Sequence, residues 1–464
     1  MRSSAPSPQT RTVRKAVVRL VPFLMALYFV NYLDRTNLGI AKASISEDLQ
    51  LSATMFGFAA GIFFIGYVLV EVPSNLALHR FGARRWLARI AVSWGIVVVA
   101  IGFAPNAATL LVLRFLLGVA EAGLFPGVIF YLSRWFPGGY RARIVAMFML
   151  ATPIAAAVGT PLAAWLIHVG DDMFGAGWQF MMVCCGIPAV VLGVVCWFYL
   201  TDEPADARWL TDEERRWLVE VLADEERQVN ERFDFSLRRA LSSPRIWSLA
   251  VVYFGIAYGL YALAFFLPSI ISGFQQSFGL TLSILQVGMI TAIPYACAAI
   301  GMYLWSRHAD RTGEHVWHVG VPMLIGGLTI PVALYLDSPV LVMIAVTVVA
   351  VGVFSAIPSF WALPSRFLTG VAAAGAIALI NSVGNLGGFA APYVTGALVD
   401  LTGSERAGMW TVGAVMVLSA LAVVTMRATP ASDRAHQGNL GPNRPVSLGS
   451  EDTREGNHAD RNQH

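Results

Sequence analysis

Apolar residues run along this chain in long, nearly unbroken stretches separated by short polar breaks. Stretches near 17–36, 54–76, 86–104, 108–132, 143–168 and 178–200 have the roughly 20 residues that a helix needs to cross a hydrocarbon core. A polar segment interrupts the series at 201–245, and six more stretches follow near 246–273, 283–305, 316–336, 339–362, 372–399 and 407–426. The pattern predicts an all-α membrane protein with twelve transmembrane helices in two bundles, 17–200 and 246–427. A leader over 1–16 precedes them, and the polar stretch 428–464 reads as a disordered tail. In the middle segment Trp209, Leu210, Trp217, Leu218 and Leu222 stand at helical spacing among Asp202, Glu203, Asp212, Glu213, Glu214, Arg215, Arg216 and Glu220. That mixture predicts an amphipathic helix joining the two bundles, either as a solvated linker or as a docking surface.

The two sets of six are related by a constant displacement. His79-Arg80-Phe81-Gly82 corresponds to Asp310-Arg311-Thr312-Gly313, 231 positions on, and the same step takes Phe136 to Phe367, Gly139 to Gly370 and Pro161 to Pro392. One offset across such distant regions implies two pseudo-symmetric six-helix halves. Parallel halves of this kind enclose a midplane cavity that rocking exposes to each side in turn.

Composition agrees with a membrane setting: 56% of residues are hydrophobic, 13% are charged, and the mean hydropathy is +0.62. Charge placement sets the orientation. Arg11, Arg14, Lys15 and Arg19 precede the first stretch, and Arg80, Arg84, Arg85, Arg134, Arg141, Arg143, Arg307 and Arg311 fall in the loops of the same side. The alternate loops carry only Lys42 and Arg406. By the positive-inside rule both termini and the middle segment face the cytoplasm. The basic leader runs straight into a full-length stretch with no small-residue cleavage site, so the first helix is its own insertion signal. Cys184, Cys185, Cys196 and Cys297 lie in apolar stretches without metal-site or disulfide spacing and read as packing residues.

Four charges break the apolar pattern: Asp34 and Arg35 in the first stretch, Arg114 and Glu121 in the fourth. Each costs about 2.5–3.5 kcal/mol near the bilayer centre, which makes them candidates for a substrate and proton site. The displacement maps them to Phe265, Phe266, Ala345 and Gly352, so the quartet belongs to the first half alone. Arg114 and Glu121, seven residues apart, point the same way, and Gly118 on that face leaves room for a ligand or a neighbouring helix. Asn31 and Arg35, four apart, share a face too. An arginine is always charged and offers a planar fork to a carboxylate, so Arg35 and Arg114 are the candidate anion ligands. Asp34 and Glu121 can take up and release a proton as an anion comes and goes beside them. The competing reading is of fixed Asp34/Arg35 and Arg114/Glu121 pairs that only lock helices.

Asn31-Tyr32-Leu33-Asp34-Arg35, Glu71-Val72-Pro73-Ser74-Asn75, the run Arg114 to Gly123 (RFLLGVAEAG) and Asp310-Arg311-Thr312-Gly313-Glu314 resemble the major facilitator superfamily. More narrowly, they are similar to its anion:cation symporter branch, as are the runs Ala376 to Gly388 and Asp202 to Leu210. The resemblance covers about 17–427. It implies the major facilitator fold and a secondary transporter, not an enzyme, that takes up an organic carboxylate with protons by alternating access. The substrate classes it implies are hydroxy-dicarboxylates, sugar acids and aromatic acids. It places substrate contacts at Arg35, Arg114, Asn31, Tyr32, Thr152, Tyr261, Trp361, Asn381 and Asn385, and proton coupling at Asp34 and Glu121. Asn385 reads equally as an interhelical hydrogen-bonding residue, and Pro153 beside Thr152 as a kink.

In the superfamily the repeated loop is a cytoplasmic gate, which carries over to Arg80, Arg84, Asp310 and Arg311. Here His79 stands where an acid is usual, and Glu71 is the candidate partner for Arg80 or Arg84. The resemblance implies no cofactor beyond the proton, no nucleic-acid partner, a monomer, and a bacterial inner membrane. A proton-antiport exporter of a metabolite or drug is the alternative. Its superfamily signature in the fifth span is glycine-rich, whereas this span has only Gly159-Thr160-Pro161 among alanines.

Overall fold

The computed structural model describes residues 8–232, 243–274, 278–365 and 370–428, almost all of them helical. The first part comprises α1 (Pro8–Ile40), the short α2 (Lys42–Asp48), α3 (Ala53–Phe81), α4 (Ala83–Ile101), α5 (Ala107–Glu121), α6 (Leu124–Trp135), α7 (Gly138–Met149), α8 (Ala151–Phe174) and α9 (Gly177–Tyr199). A 3-10 turn at Pro204–Asp206 and α10 (Asp212–Arg232) follow. The second part comprises α11 (Pro244–Ser272), α12 (Ile284–Thr312), α13 (Val316–Ala333), α14 (Pro339–Ser365), α15 (Gly370–Thr402) and α16 (Glu405–Ala428). Among the described residues, ten segments are long and apolar enough to cross a membrane, with α5–α6 and α7–α8 each counting as one. The remaining two predicted spans are the helices α4, which starts with Arg84, Arg85 and Arg89, and α15. Large apolar side chains such as Leu69, Phe103, Phe198, Ile300 and Leu418 are exposed on the outside of the bundle, as a lipid-facing surface requires.

The 231-position shift carries α3 onto α12 end to end. Packing obeys the same symmetry: α3 lies along α15 and α8 along α12, two contacts that the shift interchanges, while α1 lies along α11. These three contacts are tightest toward the face that carries α2. A Cβ on Gly39 would collide with the backbone of Ala264, one on Gly57 with that of Pro392, and one on Gly288 with the side chain of Ala164. Polar contacts close the same side. Lys42 Nζ lies 3.4 Å from Glu405, and Asp400 accepts the N–H groups of Ala53 (3.2 Å) and Thr54 (2.8 Å) at the start of α3, where a carboxylate complements the helix dipole.

The opposite face carries the linker, and its carboxylates attach to the first part. Asp202 accepts the Arg84 N–H at 2.7 Å, Glu203 pairs with Arg134, and Glu214 reaches Lys15 at 2.5 Å. Glu225 accepts the Gly138 N–H at 3.0 Å, capping α7. Trp209 stacks on Trp135 at 5.4 Å, and the Arg19 guanidinium lies 4.8 Å from the Tyr199 ring and 5.3 Å from that of Trp209. Burial pushes the Glu214 carboxyl up, but the Lys15 and Thr211 contacts outweigh it and hold the group below its ordinary range.

Several boundaries differ from the hydropathy reading. α1 begins at Pro8, inside the predicted leader, because Thr12, Val13 and Ala16 are buried and Lys15 is tied to the linker. The linker helix starts at Asp212, leaving Trp209 and Leu210 in a turn. Thr211 and Glu214 form a reciprocal capping box there, which sets the first turn whatever the apolar spacing before it. The fourth span is broken after Glu121: Gly123 adopts φ 90°, and Ser74 Oγ donates to the freed Ala122 carbonyl at 2.6 Å. The fifth is broken at Leu150, just before Pro153, in keeping with the kink reading. Gly82 and Gly313, equivalent positions of the repeated loop, both end helices at positive φ (86° and 68°), a conformation that favours glycine. The polar stretch from 429 onward, residues 1–7 and Phe367 of the repeat lie outside the described residues.

Candidate functional site

Arg35, on the inward face of α1, gathers three helices. Its Nε donates to Glu121 Oε1 on α5 at 3.1 Å, its Nη2 donates to the same oxygen, and its Nη1 donates to the hydroxyl of Tyr261 on α11. Its guanidinium lies 5.3 Å from the ring of Phe63 and 5.8 Å from that of Tyr67, both on α3. Glu121 is fully buried at the last turn of α5, and its Oε2 has no partner. One carboxylate oxygen is thus committed to Arg35 and the other is free, in a place where an unpartnered polar atom is costly.

Asp34 does not pair with Arg35. Neighbours on a helix point about 100° apart, and Asp34 turns toward α4, where Trp94 Nε1 donates to its Oδ2 at 2.7 Å and its Oδ1 is buried without a partner. Nor is Arg114 paired with Glu121. Its Nε and Nη2 donate to the carbonyls of Ala59 and Ala60 on α3, each at 3.2 Å, and its guanidinium lies 5.3 Å from the same Phe63 ring. Phe63 is therefore flanked by both arginines, its ring offering each a cation–π contact. The choice at Gly118 resolves in favour of a neighbouring helix, since a Cβ there would collide with the Phe63 carbonyl.

Glu71 joins the halves rather than serving Arg80 or Arg84. Its carboxylate is fully buried and accepts from Asn381 Nδ2 and, at 2.7 Å, from Ser382 Oγ, both on α15. These partners are within reach because Glu71 points from α3 into the α3/α15 contact, whereas Arg84 is drawn to Asp202, 3.5 Å from its Nε, and Arg80 lies over Phe81. Asp310 and Arg311 are exposed at the end of α12.

Toward the α10 face, Phe125 and Trp361 meet across the halves at 6.1 Å, with Tyr28 at 5.8 Å from Phe125 and Tyr253 at 4.9 Å from Trp361. Asn31, Tyr32, Thr152 and Asn385 are buried among the same helices, and both amide atoms of Asn31 lack a partner. Phe63, Tyr67, Trp94 and Ser382 were not predicted. Tyr67 stands one turn from Glu71 and Ser382 beside Asn381, so helical spacing pointed at both. Trp94 lies 60 positions from Asp34, and no local pattern indicates it. Among the described residues no His/Cys/Asp/Glu group could hold a metal ion.

The family profile of the Major Facilitator Superfamily matches residues 24–392 and 282–450. A protein of Agrobacterium vitis named "Putative tartrate transporter" is 45% identical over 421 residues, 91% of this chain and 96% of its own. The "Quinolone resistance transporter" of Acinetobacter baumannii is 38% identical, covering 87% and 92%, and the inner membrane transport protein RhmT of Escherichia coli is also 38% identical, covering 89% and 95%. Among solved structures, a bacterial homolog of the human lysosomal transporter Spinster, in an inward-facing and occupied conformation, has the same fold. Its TM-score is 0.69 at 16% identity, over 92% of this chain and 99% of that one.

Proposed function

The chain belongs to the Major Facilitator Superfamily and is a multi-pass membrane transporter of a small organic substrate, and on that premise we propose that it takes up an organic carboxylate together with protons. The observation that carries this reading is the Arg35–Glu121 pair, which is bonded on to Tyr261 across the halves and leaves Glu121 Oε2 free. A substrate carboxylate has the shape and charge to take the place of Glu121 at the Arg35 fork. Displaced from its cation, Glu121 is the group that takes up the proton, its Oε2 already being without a partner. Anion loading and proton loading are thereby one event. With the anion in the Arg35 fork and a proton on Glu121, neither of these two residues is left as an unpaired charge and the site can reorient, whereas the anion alone would leave Glu121 bare. Asp34, held by Trp94 with its Oδ1 free, is the second proton carrier. Arg114, tethered to α3, adds its charge to the field that draws the anion in. Asn31 and Asn381 supply amides for hydroxyl or carboxyl groups, and Tyr32, Thr152, Asn385 and Trp361 wall the site.

The side of the linker and N-terminus is the cytoplasmic one, by the distribution of arginine. The glycine-packed seam then lies outside, and the protein is closed to the exterior. Names of relatives support tartrate or a related hydroxy-acid as cargo. The relative named for quinolone resistance favours the alternative, proton-driven export. Purified protein in liposomes, offered labelled tartrate, galactonate, glucarate and phthalate, separates the two. Uptake that concentrates one acid under an inward proton gradient and collapses with a protonophore is the expected result. Accumulation of a quinolone under the opposite gradient, with no acid taken up, would replace this reading by export.

A further inference from the structure

On the α2 face a cavity of about 1160 Å³ opens between the end of α1, the last turns of α11, the α13–α14 connection and the start of α16. Lys42, Arg406, Glu405 and Asp337 line it, with serine hydroxyls such as Ser44 and Ser269. Lys42 and Arg406 are the only basic residues in the connecting segments of this face, which otherwise carries Glu47, Asp48, Asp171, Asp172 and Asp400. At the cavity these two cations offset the two carboxylates, so an approaching anion meets less repulsion there than at the acidic segments around it. Both cations are held over aromatic rings, Lys42 Nζ 4.6 Å from the centroid of Phe266 and the Arg406 guanidinium 5.5 Å from that of Tyr335. Glu405 is 3.4 Å from Lys42, so cation and carboxylate stand side by side. Cations bind carboxylates and the acidic residues accept from hydroxyls, a pairing that a polyhydroxy acid satisfies and a bare carboxylate or a sugar alone does not.

Gly39 lines the cavity and closes on Ala264 at the seam, and Arg35 lies one helical turn further along α1. We propose that this cavity is a second, external binding site for hydroxy-carboxylates, in which the substrate anion waits while the seam is shut. The inference rests on the orientation and substrate class proposed above.

The chain has two lysines, Lys15 and Lys42, and they lie on opposite faces. A membrane-impermeant amine-acylating ester added to right-side-out vesicles, read out by peptide mass spectrometry, therefore reports on the cavity. Acylation of Lys42 and not Lys15 is expected, slowed about tenfold by tartrate at ten times its Kd and not by sodium chloride of equal ionic strength. Arg406→Gln is expected to lose most of this protection and Arg406→Lys to keep it. Arg35→Gln, which disables the central site, is also expected to keep it. Loss of protection in Arg35→Gln would mean that tartrate acts from the central site through a conformational change, and the proposal falls. It falls equally if tartrate leaves the wild-type rate unchanged or if Lys42 does not react. Acylation of Lys15 from outside overturns the orientation and the external placement together. If Lys42 is protected but tartrate is not accumulated, the symport reading fails and the external site stands.

Discussion

Two carboxylates in the middle of this protein, Asp34 and Glu121, each have one oxygen that is bonded and one that is left over. Glu121 spends Oε1 on Arg35 and keeps Oε2 free. Glu121→Gln is thus expected to abolish proton-driven accumulation while leaving substrate exchange, measured as counterflow at equal pH on both sides. Full accumulation in this variant would remove Glu121 from the coupling. Arg35→Lys keeps the charge but not the fork that reaches Glu121 and Tyr261 together. Substrate affinity should fall about tenfold to a hundredfold, the equivalent of about 1.5–3 kcal/mol, as read by isothermal titration. Trp94→Phe takes away the only hydrogen bond to Asp34 among the described residues. About 1–3 kcal/mol of stability should go with it, because both oxygens of the carboxyl would then be buried without a partner, seen as a lower Tm. The candidates themselves were legible because intramembrane charge is rare, but their partners were not. Adjacent numbering suggested Asp34 with Arg35, and helical spacing suggested Arg114 with Glu121. The structure instead joins Arg35 to Glu121 and leaves each other member with an uncharged partner, since bonding is decided by which helix a side chain meets.

Among the elements, hydropathy located every span, and the repeat fixed the pairing of α3 with α12, because lipid imposes length and apolarity on any crossing helix. Breaks within spans were less visible. The one after Glu121 depends on Ser74, a hydroxyl from another helix that accepts the duty of hydrogen-bonding the Ala122 carbonyl. The seam on the α2 face is set by small residues, so Gly57→Leu is expected to hold α3 away from α15 and prevent closure. Such a variant should bind substrate from outside and fail to release it inside; normal turnover would show that the seam tolerates separation. The expected gate partner Glu71 is instead occupied with α15, and the negative partner of Arg84 is Asp202 from the linker. Because Glu214 ionises below the ordinary carboxylate range, its tie to Lys15 is complete at neutral pH. The tie contributes stability above the unfolded pKa and loses it only as pH falls through the lower folded value.

For the whole molecule, the linker travels with the first six spans, through Asp202, Glu203, Glu214 and Glu225. Two fragments, 1–232 and 243–464, expressed together should therefore reassemble a working transporter, whereas a cut near 201 separates the first half from its own caps and should yield less folded protein, measured by detergent-resistant monodispersity and uptake. The central charges also make an uneven set: Asp34, Glu71 and Glu121 against Arg35 and Arg114, with Glu71 met by an amide and a hydroxyl. If all three carboxylates were ionised, the empty protein would carry one net negative charge through the membrane field on its return stroke. A resting potential of 100 mV would then bias that stroke by as much as about 2.3 kcal/mol, visible as a transient current on a voltage step without substrate. An electrically silent return would mean that one of the three keeps its proton throughout, so that the empty carrier never crosses wholly deprotonated.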